Sequence, residues 1–167
     1  MITAVVNYGR RPMTLGLIDT AGDESLHQTG LLAYPCADVF LVCFAVNAPL
    51  SMKNVEQHWV PQIRHNVGPN AKIILVGTKI DLRDNRDEVR KLKAKALKPV
   101  TSEEGHRLAR KLKLSRYVEC SALTGRGLSH VFEEAVSECM NGSGSPEANQ
   151  RLGRKLVKFF GGIWPAN

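Results

Sequence analysis

Apolar residues form short continuous runs in some parts of the chain and periodic stretches in others. The runs at 37–46 and 73–76 are almost wholly apolar, as in parallel strands that are covered on both faces. Residues 51–67 and 128–140 repeat apolar positions at helical spacing, which predicts helices with one buried face. Strands that alternate with helices predict a doubly wound α/β fold with a mostly parallel sheet.

Shorter elements fill the intervals between these segments. Two segments around the turn Gly9-Arg10-Arg11-Pro12 predict strands at 4–7 and 14–19, joined as a hairpin, and a further short strand is predicted at 117–119. Thr101 and Glu104 have the spacing of a capping box, which marks a helix start. Two segments have weaker patterns: 25–32 is weakly helical, and 84–97 is a charge-rich helix with little apolar face.

Polar residues follow the strand at 73–77, and their chemistry suits a purine. They are Thr78, Lys79 and Asp81, at the carboxyl end of a predicted parallel strand, where open α/β sheets bind their ligands. A lysine stem can lie along a ring face, and a carboxylate can accept hydrogen bonds from a ring N–H and a neighbouring amino group. Guanine presents that pair of donors and adenine does not. Alone, the motif fits a charged turn equally well.

Two further motifs follow other strands. Asp19-Thr20-Ala21-Gly22 places a carboxylate suited to Mg²⁺, held through water, three residues before a glycine whose N–H can approach a phosphate. Cys120-Ser121-Ala122-Leu123 places a small residue, Ala122, where its backbone N–H can meet a purine carbonyl oxygen. Either motif by itself is a common turn, so the hypothesis rests on the set.

Composition narrows the class of protein. The formal net charge is +7, but the basic clusters at 83–98 and 107–116 contain no interleaved aromatic residues and no nucleic-acid module, so solvated helix faces explain them better. The four cysteines lack metal spacing and are expected to be reduced core residues of a cytoplasmic protein. The five histidines form no metal-binding pattern, and we expect no nucleic-acid partner.

The end of the chain differs in composition from the rest. Residues 141–150 are rich in glycine and serine and are expected to be a flexible linker after a domain spanning 1–140. Residues 151–167 mix basic and apolar side chains as an amphipathic tail. The segment 151–164 allows three interpretations: weak contact with an anionic membrane surface, packing back on the domain, or disorder.

Taken together, the three motifs resemble those of the Ras superfamily of small GTPases. Two features resemble its Rho branch: threonine at the head of Thr78-Lys79-Ile80-Asp81, and the charged insert at 84–97 that precedes Pro99-Val100-Thr101. The resemblance extends from about residue 4 to residue 140. It implies the P-loop NTPase fold, GTP/GDP and Mg²⁺ as cofactors, and a signalling switch that controls the cytoskeleton or trafficking.

The resemblance also implies a role for each matched residue. Lys79 and Asp81 would hold guanine, with Thr78 before them and Ser121, Ala122 and Leu123 supporting the base. Asp19 would face Mg²⁺ through water, and Gly22 would sense the terminal phosphate. Effectors, exchange factors and activating proteins would bind residues 23–35, and the insert at 84–97 would be a second contact.

Two departures from the family pattern weaken the expected activity. No Gly-x-x-x-x-Gly-Lys-[Ser/Thr] motif occurs in the 167 residues, so the phosphate cradle and its lysine are not among them. Asp23 stands where the family has the glutamine that orients the attacking water, and aspartate cannot donate an N–H there. GTP hydrolysis is therefore expected to be weak, with nucleotide and Mg²⁺ binding conditional on a complete phosphate site.

The family fold also implies a strand that the motifs do not supply. Its first strand, phosphate loop and first helix have no counterpart before residue 4, and that strand lies mid-sheet, between the strands at 14–19 and 39–44. Residues 155–160 offer one way to fill the gap, but the favoured expectation is that the gap stays open in an incomplete product of a longer gene or in a marginal splice form. The alternative function is a nucleotide-independent pseudo-GTPase that binds proteins through 25–32 and the insert.

One sequence expectation concerns membranes. The chain ends in Trp164-Pro165-Ala166-Asn167 and shows no C-terminal prenylation box, so membrane contact would depend on the basic tail. The expected location is the cytoplasm, and the alternative is a peripheral position at the plasma membrane.

Overall fold

The fold is a six-stranded sheet with helices on both faces. The structure is a computed structural model, and it describes residues 2–8, 11–20, 37–140 and 155–161. The predicted α/β architecture with a mostly parallel sheet is confirmed, and it is consistent with a P-loop GTPase-like fold.

Except for the last strand, the elements agree closely with the sequence predictions. The strands are β1 (Ile2–Tyr8), β2 (Arg11–Thr20), β3 (Val39–Ala45), β4 (Ile73–Thr78), β5 (Arg116–Glu119) and β6 (Lys155–Gly161). The helices are α1 (Pro49–Asn54), α2 (Val60–Val67), α3 (Arg86–Ala94), α4 (Ser102–Lys111) and α5 (Leu128–Met140). A π-helical turn, Val55–Trp59, joins α1 to α2. Pro61 lacks a backbone N–H, and the wider turn before it accommodates that missing hydrogen bond.

The strand order across the sheet is β1-β2-β6-β3-β4-β5. β1 and β2 pair antiparallel, which confirms the predicted hairpin, and every other neighbouring pair runs parallel. β6 lies in the middle, where Val157 is in register with Leu17 of β2 on one side and Val39 of β3 on the other.

This position of β6 corrects the expectation of an open gap. The favoured interpretation, an incomplete sheet lacking a strand between β2 and β3, is wrong for this chain, because Lys155–Gly161 fills that place. Two strand edges with unpaired amides inside a sheet are unfavourable, and one inserted strand satisfies both. Of the three interpretations of 151–164, packing back on the domain is the one that the structure shows for 155–161.

The core lies on both faces of the sheet, as a doubly wound fold requires. Residues of β3 alternate between the faces. Phe40, Val42 and Phe44 belong to the cluster under α1, α2 and α4, whereas Val39 and Leu41 belong to the cluster under α5. All five side chains are almost fully buried.

Helix starts follow the sequence signals. The Thr101 side chain accepts the Glu104 N–H at 3.2 Å, and the Glu104 carboxylate accepts the Thr101 N–H at 2.9 Å, so the predicted capping box begins α4. The Asn85 side chain accepts two backbone N–H groups at the start of α3. Within the insert helix only Leu92 is buried, as predicted for an exposed helix.

Several predictions fall outside the described residues, namely the weak helix at 25–32, the linker at 141–150, the side chain of Asp19, and the residues Gly22 and Asp23. In the described ranges, none of the helices is both long and apolar enough to cross a membrane.

Candidate functional site

Three sequence motifs come to one edge of the sheet. Strands β2, β6, β3, β4 and β5 run parallel, so their carboxyl ends lie on the same side. Asp19, Thr78 and Glu119 stand at or next to the last positions of β2, β4 and β5. With β6 and β3 between them, β2 and β4 are separated by three strand spacings, about 14 Å.

The segment after β4 turns sharply to present its polar residues. Lys79 has left-handed backbone angles, with φ 59°, and a single 3₁₀ turn, Ile80–Leu82, follows it. A lysine in this conformation costs about 1–2 kcal/mol, and such strain often occurs at functional sites. The Ile80 N–H donates to the carbonyl oxygen of Cys120 at 3.3 Å, which joins this turn to the segment after β5.

Each polar residue of this segment has a distinct place. The Thr78 hydroxyl donates to the carbonyl oxygen of Phe44 at 3.0 Å, so Thr78 fastens β4 to β3. Lys79 is exposed, and Asp81 is half-buried. The lysine stem and the carboxylate are therefore both accessible to a ligand at this edge.

Ser121 connects the two segments directly. Its side chain is completely buried, and its Oγ donates to Oδ1 of Asp81 at 2.5 Å. The same Oγ accepts the Thr124 N–H at 3.2 Å, and the Ser121 N–H donates to the carbonyl oxygen of Arg126 at 2.8 Å. Asp81 is thus held through one carboxylate oxygen, which fixes the direction of the other.

The loop after Ser121 depends on a glycine. Gly127 has φ +72°, and a Cβ at this position would lie 2.1 Å from the carbonyl oxygen of Glu119. Only glycine allows the loop to close so tightly on the end of β5. Ala122 and Leu123 are exposed on the outer part of this loop, and Leu123 is 83% exposed.

Sequence reasoning missed an ion pair that fastens the same two segments. Arg83 donates from Nη1 to Oε2 of Glu119 at 3.0 Å and from Nη2 to Oε1 at 2.5 Å, and its Nε donates to the carbonyl oxygen of Val100 at 3.0 Å. The two side chains are only 22% and 20% exposed. Arg83 lies two residues after Asp81, and Glu119 lies immediately before Cys120. The sequence feature that could have indicated this pair is that a positive and a negative residue lie next to the two motifs.

Tyr117 completes this network. Its hydroxyl donates to Oε1 of Glu119 at 2.6 Å, and its ring lies against Gly77 and Gly105, where a Cβ would come within 2.7 and 2.2 Å of ring or hydroxyl atoms. Burial, and next the hydrogen bond to Glu119, raise the pKa of Tyr117, so it stays a neutral donor. Burial alone would raise the pKa of Glu119, but hydrogen bonds from Arg83 and Tyr117 outweigh it and lower that pKa.

These donors and acceptors fit a guanine base. Asp81 is an oriented carboxylate, Lys79 is an exposed residue with an alkyl stem and a charge, and Ala122 is an exposed residue on the opposite loop. Within the described ranges, no three His, Cys, Asp or Glu side chains cluster as a metal site. The side chain of Asp19, the residue expected to face Mg²⁺, lies outside those ranges, so that expectation stays a prediction. The chemistry that Asp81, Lys79 and Ala122 offer is recognition of a base.

The structure brings together five predicted residues: Thr78, Lys79, Asp81, Ser121 and Ala122. Leu123 lies on the same loop. Asp19 reaches the same edge by strand direction alone. The predicted roles of Gly22 and Asp23 fall outside the described residues and stay predictions.

The chain matches a known protein-family model. The family model described as the Ras family matches residues 1–141, most of the 167-residue chain. The matched range contains all three motifs and the whole Arg83–Glu119 network.

Proposed function

Because the chain belongs to the Ras family, we propose that it is a guanine-nucleotide-binding switch with its base site between the 79–82 turn and the 121–127 loop. A small GTPase-like signalling domain is what the family match supports. The choice of guanine, the branch of the family and the strength of binding are our proposal.

One observation carries this proposal: the contact between buried Ser121 and Asp81. A carboxylate held at one oxygen presents its second oxygen in a fixed direction, where it can accept from the ring N–H and amino group of guanine. A preset acceptor loses less entropy on binding than a freely rotating one. Adenine offers no matching donor pair, so the site should reject it.

We further propose that the chain belongs to the Rho branch. The threonine of Thr78-Lys79-Ile80-Asp81 and the charged insert at 84–97 support this placement, since the insert is an ordered exposed helix here. Effectors and regulators would then bind residues 23–35 and the surface of α3. Cytoskeletal control would be the cellular process.

Hydrolysis by this chain is proposed to be slow. Asp23, in place of the glutamine, cannot donate to an attacking water and adds negative charge near the phosphate. Nor do the 167 residues contain the Gly-x-x-x-x-Gly-Lys motif that normally neutralises phosphate charge. Binding should therefore depend mainly on the base.

A cytoplasmic location is also proposed. Cys43, Cys120 and Cys139, the cysteines in the described residues, are thiols that form no disulfide, which is typical of a reducing compartment.

The test is a titration of the 167-residue chain with fluorescent GDP, GTP and ADP in the presence of Mg²⁺. We expect binding of both guanine nucleotides and at least tenfold weaker binding of ADP, the discrimination expected when a polar site is left unpaired. Asp81→Ala should weaken GDP binding by about 10- to 100-fold, because it removes charge-assisted hydrogen bonds.

Asp84→Ala is the matched control, since Asp84 is another carboxylate only three residues away, outside the base site. It should leave the affinity unchanged. Equal affinity for ADP and GDP would contradict the base site. Absence of binding by a cooperatively melting protein would replace this proposal with the nucleotide-independent binding module.

A further inference from the structure

The slot between β2 and β3 is a binding site for a strand. Its two walls are residues 15–20 of β2 and 39–43 of β3, and each pairs in parallel with the strand that fills it. In the described part of the sheet, β2 has no hydrogen-bonded contact with β3 except through β6. Without an occupant, the sheet would divide into a hairpin and a three-stranded sheet.

We propose that this slot also accepts Lys155–Gly161 of a second copy of the chain, so that two copies exchange their β6 strands reciprocally. Each copy would then contribute the central strand of the other domain. The exchanged dimer keeps every strand pairing of the monomer and changes only which chain supplies β6.

The connection to β6 permits both arrangements. The end of α5 lies near the amino ends of the central strands, because Lys72 Nζ donates to the carbonyl oxygen of Glu138 at 2.7 Å and Lys72 directly precedes β4. Two strand spacings, about 10 Å, separate β4 from β6. Residues 141–154 can span about 46–50 Å when extended, which far exceeds that separation. The connection therefore reaches the slot of its own domain and that of an adjacent copy.

An empty slot should favour capture of whichever strand is nearest. Open edges on β2 and β3 expose backbone groups that only another strand can pair. The copy's own β6 competes at an effective concentration that is typically in the millimolar range for a short connection. A second copy wins only when its concentration approaches that level, or when the slot opens before the chain's own strand is present.

During synthesis, the slot can form before the chain's own β6 is present. Residues 1–140 precede β6 in the chain, and at about 5–20 residues per second they are complete roughly one second or more before Gly161 is added. During that interval an acceptor slot exists without its own strand. Copies made on one messenger RNA are then close together.

The register provides a chemical reporter of this exchange. Cys43 of β3 is in register with Gly161 of β6, and Cys43 is half-buried rather than sealed in the core. A thiol introduced by Gly161→Cys would lie beside Cys43, within reach of a short bis-maleimide cross-linker. When the chain that carries only Gly161→Cys is tested by itself, a cross-link between Cys43 and the new thiol within one monomer shows that β6 occupies the slot of its own chain.

Two full-length chains distinguish exchange from other association. The donor carries Gly161→Cys with Cys43→Ala, and the acceptor is the unmodified chain. The two are mixed in denaturant, refolded at micromolar or millimolar concentration, and cross-linked. Only a donor strand in an acceptor slot places the two thiols together. A chain with Cys43→Ala alone replaces the donor in the control, which measures links through the other cysteines.

We expect an interchain link after refolding at millimolar concentration, at least tenfold more than at micromolar concentration, and none above background in the control. An intrachain link in the single-variant monomer without an interchain link in the mixture would overturn the exchange. No link of either kind on a cooperatively melting protein would overturn the slot assignment as well. If Gly161→Cys prevents folding, Leu17→Cys with Val157→Cys reports the same register from the β2 side.

Discussion

At the scale of single residues, Gly127 and Gly125 give a matched test of the loop after Ser121. Both have positive φ, +72° and +75°, but only Gly127 has an atom close enough to block a side chain. Gly125→Ala should cost about 1–2 kcal/mol of unfolding free energy from backbone strain alone. Gly127→Ala should cost clearly more, because its Cβ would meet the Glu119 carbonyl.

Denaturant melts of the two variants measure this difference. Equal destabilisation would show that the loop does not close on β5 as described. GDP affinity should fall more in Gly127→Ala than in Gly125→Ala, since the loop holds Ser121 against Asp81.

Glu119 makes stability depend on pH. Its pKa is lowered in the folded protein from an ordinary 4.5, so its stabilisation is fully present above that pH and is lost as the pH falls through the lowered value. Glu119→Gln should cost about 1–3 kcal/mol at neutral pH, because it leaves Arg83 without its charged partner.

The difference in unfolding free energy between Glu119→Gln and the unmodified chain should shrink below about pH 4.5, which pH-dependent denaturant melts would show. Asp87→Asn is the control, because its ion pair with Arg90 is 76–81% exposed and worth little. A constant difference across this pH range would contradict the assigned pKa direction.

Residue patterns predicted which polar residues lie together at this edge of the sheet, but they did not predict the ion pair that joins the two segments. The polar residues after β4 and β5 are recognisable by position, since parallel strands end at one edge. The Arg83–Glu119 pair joins residues that are 36 positions apart, and nothing in either local pattern selects one partner over other nearby charges. Which charged residues pair is determined by the tertiary structure and cannot be predicted from the local sequence.

At the scale of elements, β6 should be the strand least tolerant of proline. Val157 lies inside β6 and is paired with parallel neighbours on both sides, so a proline there removes a backbone donor from the middle of the sheet. Val157→Pro should abolish cooperative unfolding or lower the melting temperature by about 6–12 degrees or more, the shift that a loss of about 3 kcal/mol or more causes in a domain of this size.

Val5→Pro in β1 is the matched control for this experiment. Val5 is 72% exposed and lies on an edge strand of the described sheet, where proline is better tolerated. Thermal unfolding followed by circular dichroism compares the two variants. An equal or smaller loss for Val157→Pro would contradict the central position of β6.

The sequence predicted secondary structure correctly where apolar residues repeat with a strong period. It did not do so where the composition of a segment suits both a surface tail and a buried strand. Residues 128–140 could only be an amphipathic helix, and α5 has those bounds. Residues 155–161 combine four apolar residues with two lysines, a composition compatible with a surface tail as well as a strand. Residues 155–161 form a strand because the edges of β2 and β3 both need a hydrogen-bonding partner. That requirement comes from the rest of the sheet and is not visible in the segment's own sequence.

At the scale of the whole molecule, the strand from the end of the sequence unites the two halves of the sheet. Asp19 stands on β2, and the base-site loops follow β4 and β5, so their common edge depends on β6 between them. The domain is therefore assembled from residues at both ends of the matched family region and beyond it, since β6 follows residue 141.

Amide hydrogen exchange of the full chain tests this central strand most directly. If β6 occupies the slot, the amides of 155–161 should exchange as slowly as those of β4, at rates set by global unfolding. Exchange of 155–161 at the rate of an unstructured peptide, while β3 and β4 remain protected, would contradict the account.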